Sequence, residues 1–502
     1  MHYYRAFLLA IILETSFGDK FKASHLERVV YPMLLGARGL NRETILRIED
    51  GLVLTLEKST VLAEDFVVIQ DDGREQHMSG KELEKNLHHD RRHMSALSIE
   101  EVDGGWEVRG VLSDKLRIEP MPLKARSEDG SIAHKVSKIQ KEGNYENDYI
   151  VEPDFVISER SADYEQGTVY VGEAVFVELR ILCDSHHHKH HHFKSRKEVL
   201  VYLALSIIAV NLRYDALRDP RVQFLLTGVT LSGDDSNLAM VTREETSGWV
   251  TNNVTYLNSY RTIYYLSELI RNKTLEVPAD ALLVVTALDM VRISGGILYK
   301  NTMGLAFIGS LCGVQRVLAV EDTPGLFRMI DLAVHELGHS CGSLHDGDVQ
   351  NEIACGPNGG YIMVPFVRPP PGNSFSSCSK TMISNYMKSL PEECVEVKSK
   401  INHLKDIKDL PGSGMSKSVL CKRLYPEGGD SGLDTGNYPD CRAYCMNNNH
   451  FWSYENLWDG MQCGRGKICL GGECVKTPPK YLSKAKKKKR RKIKRRKETG
   501  SL

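Results

Sequence analysis

Between residues 19 and 145, apolar and polar residues alternate over short stretches, as in Ile45-Leu46-Arg47-Ile48 and Leu52-Val53-Leu54-Thr55-Leu56. Turn sequences such as Asp71-Asp72-Gly73 and Asp103-Gly104-Gly105 punctuate them, so this region is predicted to be β-rich with charged turns. From about residue 168 the pattern changes. Val169–Leu182, Val222–Leu231 and Ala281–Thr286 read as strands. Lys197–Asn211, with Leu200, Leu203, Ala204 and Ile207 on one face, and Tyr256–Ile270 read as helices. Strands alternating with helices predict a mostly parallel α/β sheet. Residues 398–420 are polar, contain Pro411-Gly412-Ser413-Gly414, and read as a linker. No internal repeat interrupts this order.

Charge sharpens the picture. The 502 residues hold 65 Lys plus Arg and 65 Asp plus Glu, a formal net charge of zero. Residues 480–502 alone hold 13 bases and one acid, Glu498, or +12, which leaves −12 on the remainder. An acidic body with a basic tail attracts different partners at its two ends.

Twelve cysteines fall in two even sets, six from Cys183 to Cys394 and six from Cys421 to Cys474. That usage suits an oxidising compartment and two separately cross-linked units. The N-terminus agrees with it. Arg5, the apolar run Ala6 to Leu13 and the small residues Ser16 and Gly18 resemble a secretory leader ending near residue 18. The longest later apolar run, Val199–Leu212, has 14 residues and is too short to span a bilayer. A secreted protein with no transmembrane segment is expected. The sequons at Asn253 and Asn272 are candidate glycan sites.

The chemistry concentrates in Val334-His335-Glu336-Leu337-Gly338-His339-Ser340-Cys341-Gly342-Ser343-Leu344-His345-Asp346. Ile330, Ala333, Val334, Leu337 and Cys341 form a helical apolar stripe. His335 and His339, four apart, leave the same side of that helix, and Glu336 is rotated a quarter turn away. A third ligand at His345 requires the chain to turn sharply, which Gly342 permits by taking the left-handed conformation. Three imidazoles leave one position of a tetrahedral zinc ion open, the catalytic arrangement, with Glu336 as general base.

HELGHSCGSLHD resembles the metzincin signature, and Asp346 directly after the third His resembles its reprolysin (adamalysin, ADAM-type) branch. Gly360-Tyr361-Ile362-Met363 resembles that family's Met-turn, with Met363 beneath the zinc ligands. Thr302-Met303-Gly304-Leu305-Ala306-Phe307 is similar to its substrate-binding edge strand. His25-Leu26-Glu27 to Tyr31-Pro32 and Leu116-Arg117-Ile118-Glu119-Pro120 resemble the family's propeptide. Asp459–Gly464 through Cys469–Cys474 resembles the cysteine-rich module of ADAMTS proteases. The short layout resembles the secreted reprolysins of tick saliva.

The resemblance implies an order along the chain: leader 1–18, β-rich propeptide 19–160, metzincin catalytic domain 165–397, linker 398–420, cysteine-rich module 421–476 and polybasic tail 477–502. It implies disulfides Cys312–Cys394 and Cys355–Cys378. Cys183 and Cys341 are left over, to bond with each other or to stay as buried thiols. It also implies calcium near Glu178 and Asp280, although Val397 stands where the family has Asn. The propeptide's usual zinc-capping cysteine is missing, since no Cys precedes Cys183, so latency must rest on another group. No R-x-[KR]-R processing site precedes the catalytic domain.

Two further tracts remain. His186-His187-His188-Lys189-His190-His191-His192 reads as a solvated loop, with weak adventitious metal binding as the other reading. The basic run 480–497 suits heparan sulfate or anionic surfaces, or is a plain solvated tail; no nucleic-acid partner is expected of a secreted chain. The expected function is hydrolysis of extracellular proteins such as fibrinogen, fibrin, fibronectin or gelatin-like matrix, with an anti-haemostatic or anti-repair role in saliva. The alternatives are an endogenous ADAMTS-like matrix protease, or a heparin- or platelet-binding protein acting without catalysis.

Overall fold

The computed structural model describes residues 27–35, 44–121, 127, 130–139, 145, 147–151, 174–247, 250–348, 355–366, 373–391, 394, 397, 415–424, 441–446, 452–457, 460–470 and 473–477. The expected leader, most of the linker and the basic tail lie outside them. No helix among the described residues is long and apolar enough to cross a membrane. The chain divides into two compact units. One comprises Met1–Val30, Ser59–His88 and Met94–Ile401, the other Tyr31–Lys58, His89–His93 and Asn402–Leu502.

In the first unit the elements used below are, in chain order, β1 (Leu62–Ile69), β2 (Glu75–Ser79), β3 (Tyr149–Ile150), β4 (Ala174–Cys183), α1 (Arg196–Tyr214), β5 (Arg221–Leu231), α2 (Ser259–Arg271), β6 (Ala281–Thr286), β7 (Gly304–Phe307), β8 (Val317–Glu321), α3 (Met329–Ser340) and α4 (Ser377–Ser389). The strands form one sheet in the order β3-β7-β8-β6-β4-β5-β1-β2. β4 runs parallel to β5 and β6, β6 to β8, β5 to β1, and β3 to β7. Only β7 on β8 and β2 on β1 are antiparallel. The mostly parallel sheet is as the alternating pattern predicts. The strands at its two edges, β1–β2 and β3, come from the N-terminal β-rich region.

That region also builds an antiparallel sheet in which Glu27–Val30, His134–Lys138, Leu116–Pro120, Gly105–Val111 and Ser95–Val102 are successive neighbours. Its Ala96 and Val111 join one apolar cluster with Leu203, Ile207 and Val210 of α1 and with Leu179 and Ile181 of β4. This explains a departure from the expected one-sided helix. Fourteen residues of α1 are buried, because structure packs on it from more than one side. Ser195 starts α1, its Oγ accepting the Glu198 N–H while the Glu198 carboxylate accepts the Lys194 N–H.

The helix expected from Tyr256 begins at Ser259. Tyr256–Asn258 instead end the strand Val250–Asn258, and the Asn258 side chain caps α2 by accepting from Arg261 N–H. The sheet strand Ala281–Thr286 has the predicted bounds.

In the second unit, Lys417–Leu424 is helical, so a helix starts inside the expected linker. Hairpin Arg442–Met446 with Trp452–Asn456 and three antiparallel strands between Gln462 and Lys476 follow. Disulfides Cys421–Cys445, Cys441–Cys469 and Cys463–Cys474 cross-link them. Their sulfurs share a core with Leu420, Ala443, Leu457, Met461 and Ile45, the last from the N-terminal hairpin Thr44–Glu49 and Leu52–Lys58. So small a module has little apolar volume, and the cross-links supply order that packing alone would not.

Candidate metal centre

Helix α3 carries the site. Its apolar stripe, Ile330, Ala333, Val334 and Leu337, is buried in the main core. The opposite side presents His335 and His339 one turn apart. The helix ends as the sequence predicts. Gly342 has φ +87°, its N–H donates to the His339 carbonyl, and the Ser343 N–H reaches back to Gly338. Those two bonds make the Schellman closure of a helix C-terminus. A side chain at Gly342 would strike Tyr386 as well as strain the backbone. The turn delivers His345 to the other two imidazoles.

The His335 Nε2 lies 3.1 Å from Nε2 of both His339 and His345. The outer nitrogens of the two helical ligands are fixed: His335 Nδ1 donates to the Ile362 carbonyl and His339 Nδ1 to the Ser343 carbonyl, both at 2.7 Å. A carbonyl only accepts, so in each neutral ring the proton sits on Nδ1 and the lone pair on Nε2 points inward. Burial holds the His339 imidazole down to about 4, with the other two histidines adding to the effect against a partial offset from Asp148, which keeps the ring a neutral ligand.

Glu336 is fully buried beside the histidines, and neither carboxylate oxygen has a hydrogen-bond partner. Burial first, then the neighbouring Asp148 charge, push its carboxyl well above the usual range. Gly304 of β7 lies against it, and any Cβ there would meet the carboxylate. Met363 is fully buried beneath the helix, where Gly338 leaves room for its sulfur. The Met363 carbonyl accepts the Asp346 N–H at 2.7 Å. Asp346 Oδ1 in turn accepts from Ser376 Oγ (2.5 Å) and Ser379 Oγ (3.0 Å) at the start of α4. Asp346 therefore joins the third histidine, the Met363 turn and α4.

A residue that sequence reasoning missed completes the group. Asp148 places its carboxylate 3.0 Å from His345 Nε2, 3.2 Å from His335 Nε2 and 3.4 Å from His339 Nε2. Neither of its oxygens has a hydrogen-bond donor, although the residue is buried. The inward lone pairs of His335 and His339 and the unpartnered carboxylate repel one another unless a cation lies among them. The four ligand atoms lie within 4.8 Å of one another. Three imidazoles and a carboxylate oxygen are the donor set zinc favours, and the residues present fit that ion.

The remaining expected residues resolve differently. Cys312 is bonded to Cys394 and Cys355 to Cys378. Cys183 and Cys341 are not bonded to each other: both are buried free thiols. The Cys183 sulfur, at the end of β4, lies 3.1 Å from His187 Nδ1, whereas Cys341 sits at the end of α3 in the apolar core. Glu178 and Asp280 are buried, and Asp280 Oδ2 accepts the Glu178 N–H at 2.7 Å. Asn253 and Asn272 are exposed, on a strand and at the end of α2.

The histidine tract is only partly the solvated loop expected of it. His187 is fully buried, its Nε2 2.8 Å from Asp322 Oδ2. Burial opposes a charged ring there, and the contacts with Cys183 and Asp322 outweigh it, holding His187 well above the usual histidine value. His188 reaches the Ser232 carbonyl, while His186 and His191 are exposed. Asp322 also accepts from the Tyr202 hydroxyl and from Met329 N–H, the first residue of α3.

Comparison with known proteins agrees with this geometry. Residues 279–398 match the reprolysin (M12B) family of zinc metalloproteases. The chain is 26% identical over 389 residues to a venom metalloproteinase of Olivierus martensii, covering 75% of this chain and 91% of that protein. It is 24% identical over 378 residues to an antarease-like venom metalloproteinase of Tityus trivittatus, covering 72% and 91%. It is also 24% identical over 286 residues to a protein of Bombyx mori described as like a disintegrin and metalloproteinase with thrombospondin motifs, covering 53% of this chain and 39% of that one.

Proposed function

We propose that the chain carries a reprolysin-type zinc metalloprotease domain and acts as a secreted endopeptidase in which His335, His339 and His345 hold the metal and Glu336 is the general base. The observation that carries this reading is the convergence of three imidazole Nε2 atoms beside a buried, unpartnered glutamate. Bound zinc supplies a Lewis acid for the scissile carbonyl and lowers the pKa of water in the site to about 7. Glu336 takes the proton of the attacking water and delivers it to the leaving nitrogen. Strand β7, next to the metal ligands, has only the two-residue strand β3 on its outer side, and with β3 displaced it gives an extended peptide a backbone to pair with. Met363 and Asp346 hold the ligand cradle from below.

Residues 19–160 act as a propeptide, 165–397 as the catalytic domain and 421–476 as an accessory cross-linked module joined by the linker 398–420. The substrates are extracellular proteins of the fibrinogen, fibrin, fibronectin or gelatin-like class, and the setting an anti-haemostatic secretion such as tick saliva. Similarity to venom metalloproteinases supports that setting over tissue remodelling in the producing organism. The +12 tail directs the enzyme to heparan sulfate or other anionic surfaces. The exposed Asn253 and Asn272 carry glycans.

Glu336→Ala separates the function classes. The variant should keep its metal while hydrolysis of fibrinogen and matrix proteins stops. Full anticoagulant effect from that variant would instead establish a binding protein that needs no catalysis. Removing residues 480–502 should abolish retention on heparin at physiological salt, and unchanged retention would discard the surface-binding role.

A further inference from the structure

Resting on the reading of His335, His339 and His345 as zinc ligands, we propose that Tyr145 and residues 147–151 form an internal inhibitor whose Asp148 carboxylate takes the fourth ligand position of the metal. The sequence lacks the cysteine that would do this task, and the structure supplies an oxygen donor in its place.

Side-chain and main-chain contacts place the segment. Asp148 sits at the focus of the three imidazoles, 3.0–3.4 Å from each Nε2. The Tyr145 ring stacks on His335 with centroids 4.2 Å apart and planes 12° apart. The Tyr149 ring packs on His339 and edge-on to His345, both at 4.9 Å, and its hydroxyl donates to Asp348 at 2.8 Å. Main-chain bonds hold both sides. Ala306 and Ile308 N–H donate to the Asp148 and Ile150 carbonyls, each at 2.9 Å, and Tyr145 N–H donates to the Pro365 carbonyl at 2.9 Å. The segment therefore bridges β7 and the wall formed after the Met363 turn. It covers all three ligands, none of which is more than 2% exposed.

The geometry also explains how the segment blocks the site without being cut. β3 runs parallel to β7, and the Asp148 main-chain carbonyl is committed to the Ala306 N–H. What faces the ligands is a side-chain carboxylate, so no peptide carbonyl is offered for hydrolysis. A carboxylate tethered in the same chain competes at high effective concentration with any incoming ligand. Activation is the departure of Tyr145 and residues 147–151 from the groove.

The test uses the full-length chain, its Asp148→Asn variant and its Asp148→Ala variant, each loaded with zinc or with cobalt(II). Metal content, the visible spectrum of the cobalt form and titration with acetohydroxamate, a small bidentate metal ligand, are the readouts. Both variants should retain one metal ion per chain and bind acetohydroxamate about a hundredfold more tightly than wild type, the factor expected when the open site is about 1% populated. Their cobalt spectra should differ from wild type before the probe is added. Asn keeps the shape of Asp and guards against a misfolded alanine variant. Equal acetohydroxamate affinity in wild type and Asp148→Asn, with metal present in both, overturns the inhibitor and leaves the zinc reading intact. If neither wild type nor variant holds a metal ion, both readings fall.

Discussion

Gly304 and Glu336 are in contact: the α-carbon of the glycine lies where the glutamate carboxylate leaves no room for a side chain. One residue comes from strand β7 and the other from helix α3, so this approach fixes how far the Glu336 carboxylate stands from the strand. Gly304→Ala should displace Glu336 or β7. We expect peptide hydrolysis by the activated enzyme to fall at least about tenfold, as for other groups that orient a metal site, with metal content unchanged. Loss of metal together with activity would show that the contact shapes the ligand cradle instead.

Asp346 gathers bonds from three places, and its loss should loosen the site from outside. Asp346→Ala removes the carboxylate that accepts from both Ser376 and Ser379 and leaves those hydroxyls only each other, at a cost of about 1–3 kcal/mol. The Asp346 N–H bond to the Met363 carbonyl survives this change, but the turn that carries His345 loses its tie to α4, and metal affinity should drop about 10-fold to 100-fold. Competition with a chromophoric chelator measures this directly.

Metal removal should destabilise the first unit. Without the cation, the inward lone pairs of His335 and His339 face the Asp148 carboxylate at 3.2 and 3.4 Å. Linkage sets the scale at about 4 kcal/mol when zinc is a thousandfold above its Kd. Zinc should raise the thermal midpoint of wild type by several degrees and leave His345→Ala unmoved. An equal rise in both would place the stabilising ion elsewhere.

A carboxyl remote from the metal gives a pH signature. Glu84 accepts the backbone N–H groups of Val61 and Leu62, and burial pushes its carboxyl up from 4.5 to about 7. With the folded value raised, its favourable contribution is complete below pH 4.5 and is lost as pH climbs through about 7. The span corresponds to about 3 kcal/mol at most. Glu84→Gln keeps an acceptor oxygen and removes the titration, so the decline in urea midpoint between pH 4.5 and 7.5 should flatten. An unchanged slope would assign that decline to other groups.

The ligand helix was legible in the sequence because its geometry is local. Four-residue spacing, a glycine at the helix end and a third histidine three residues later leave few arrangements, and the Gly338 gap over Met363 follows from the same segment. The parallel sheet was legible for a similar reason, since each strand and helix declares its own period. Asp148 was not. It is one of 65 acids, and nothing near it in the chain marks it. Its place depends on β3 pairing with β7, more than 150 residues further on. The burial of α1 on several sides was hidden likewise, because the strands that cover it belong to a region whose pattern says only that it is β-rich.

Asp322 receives His187, Tyr202 and the first N–H of α3, so a histidine within a run of six is what registers the catalytic helix against the end of β4. The run looks like a single repetitive feature that drifts as a block. Selection has reason to see it residue by residue: exposed positions such as His191 are free to vary, while a change at His187 would shift the helix that carries His335 and His339. In relatives of this chain the tract should therefore shrink, lengthen and change composition around one histidine that stays.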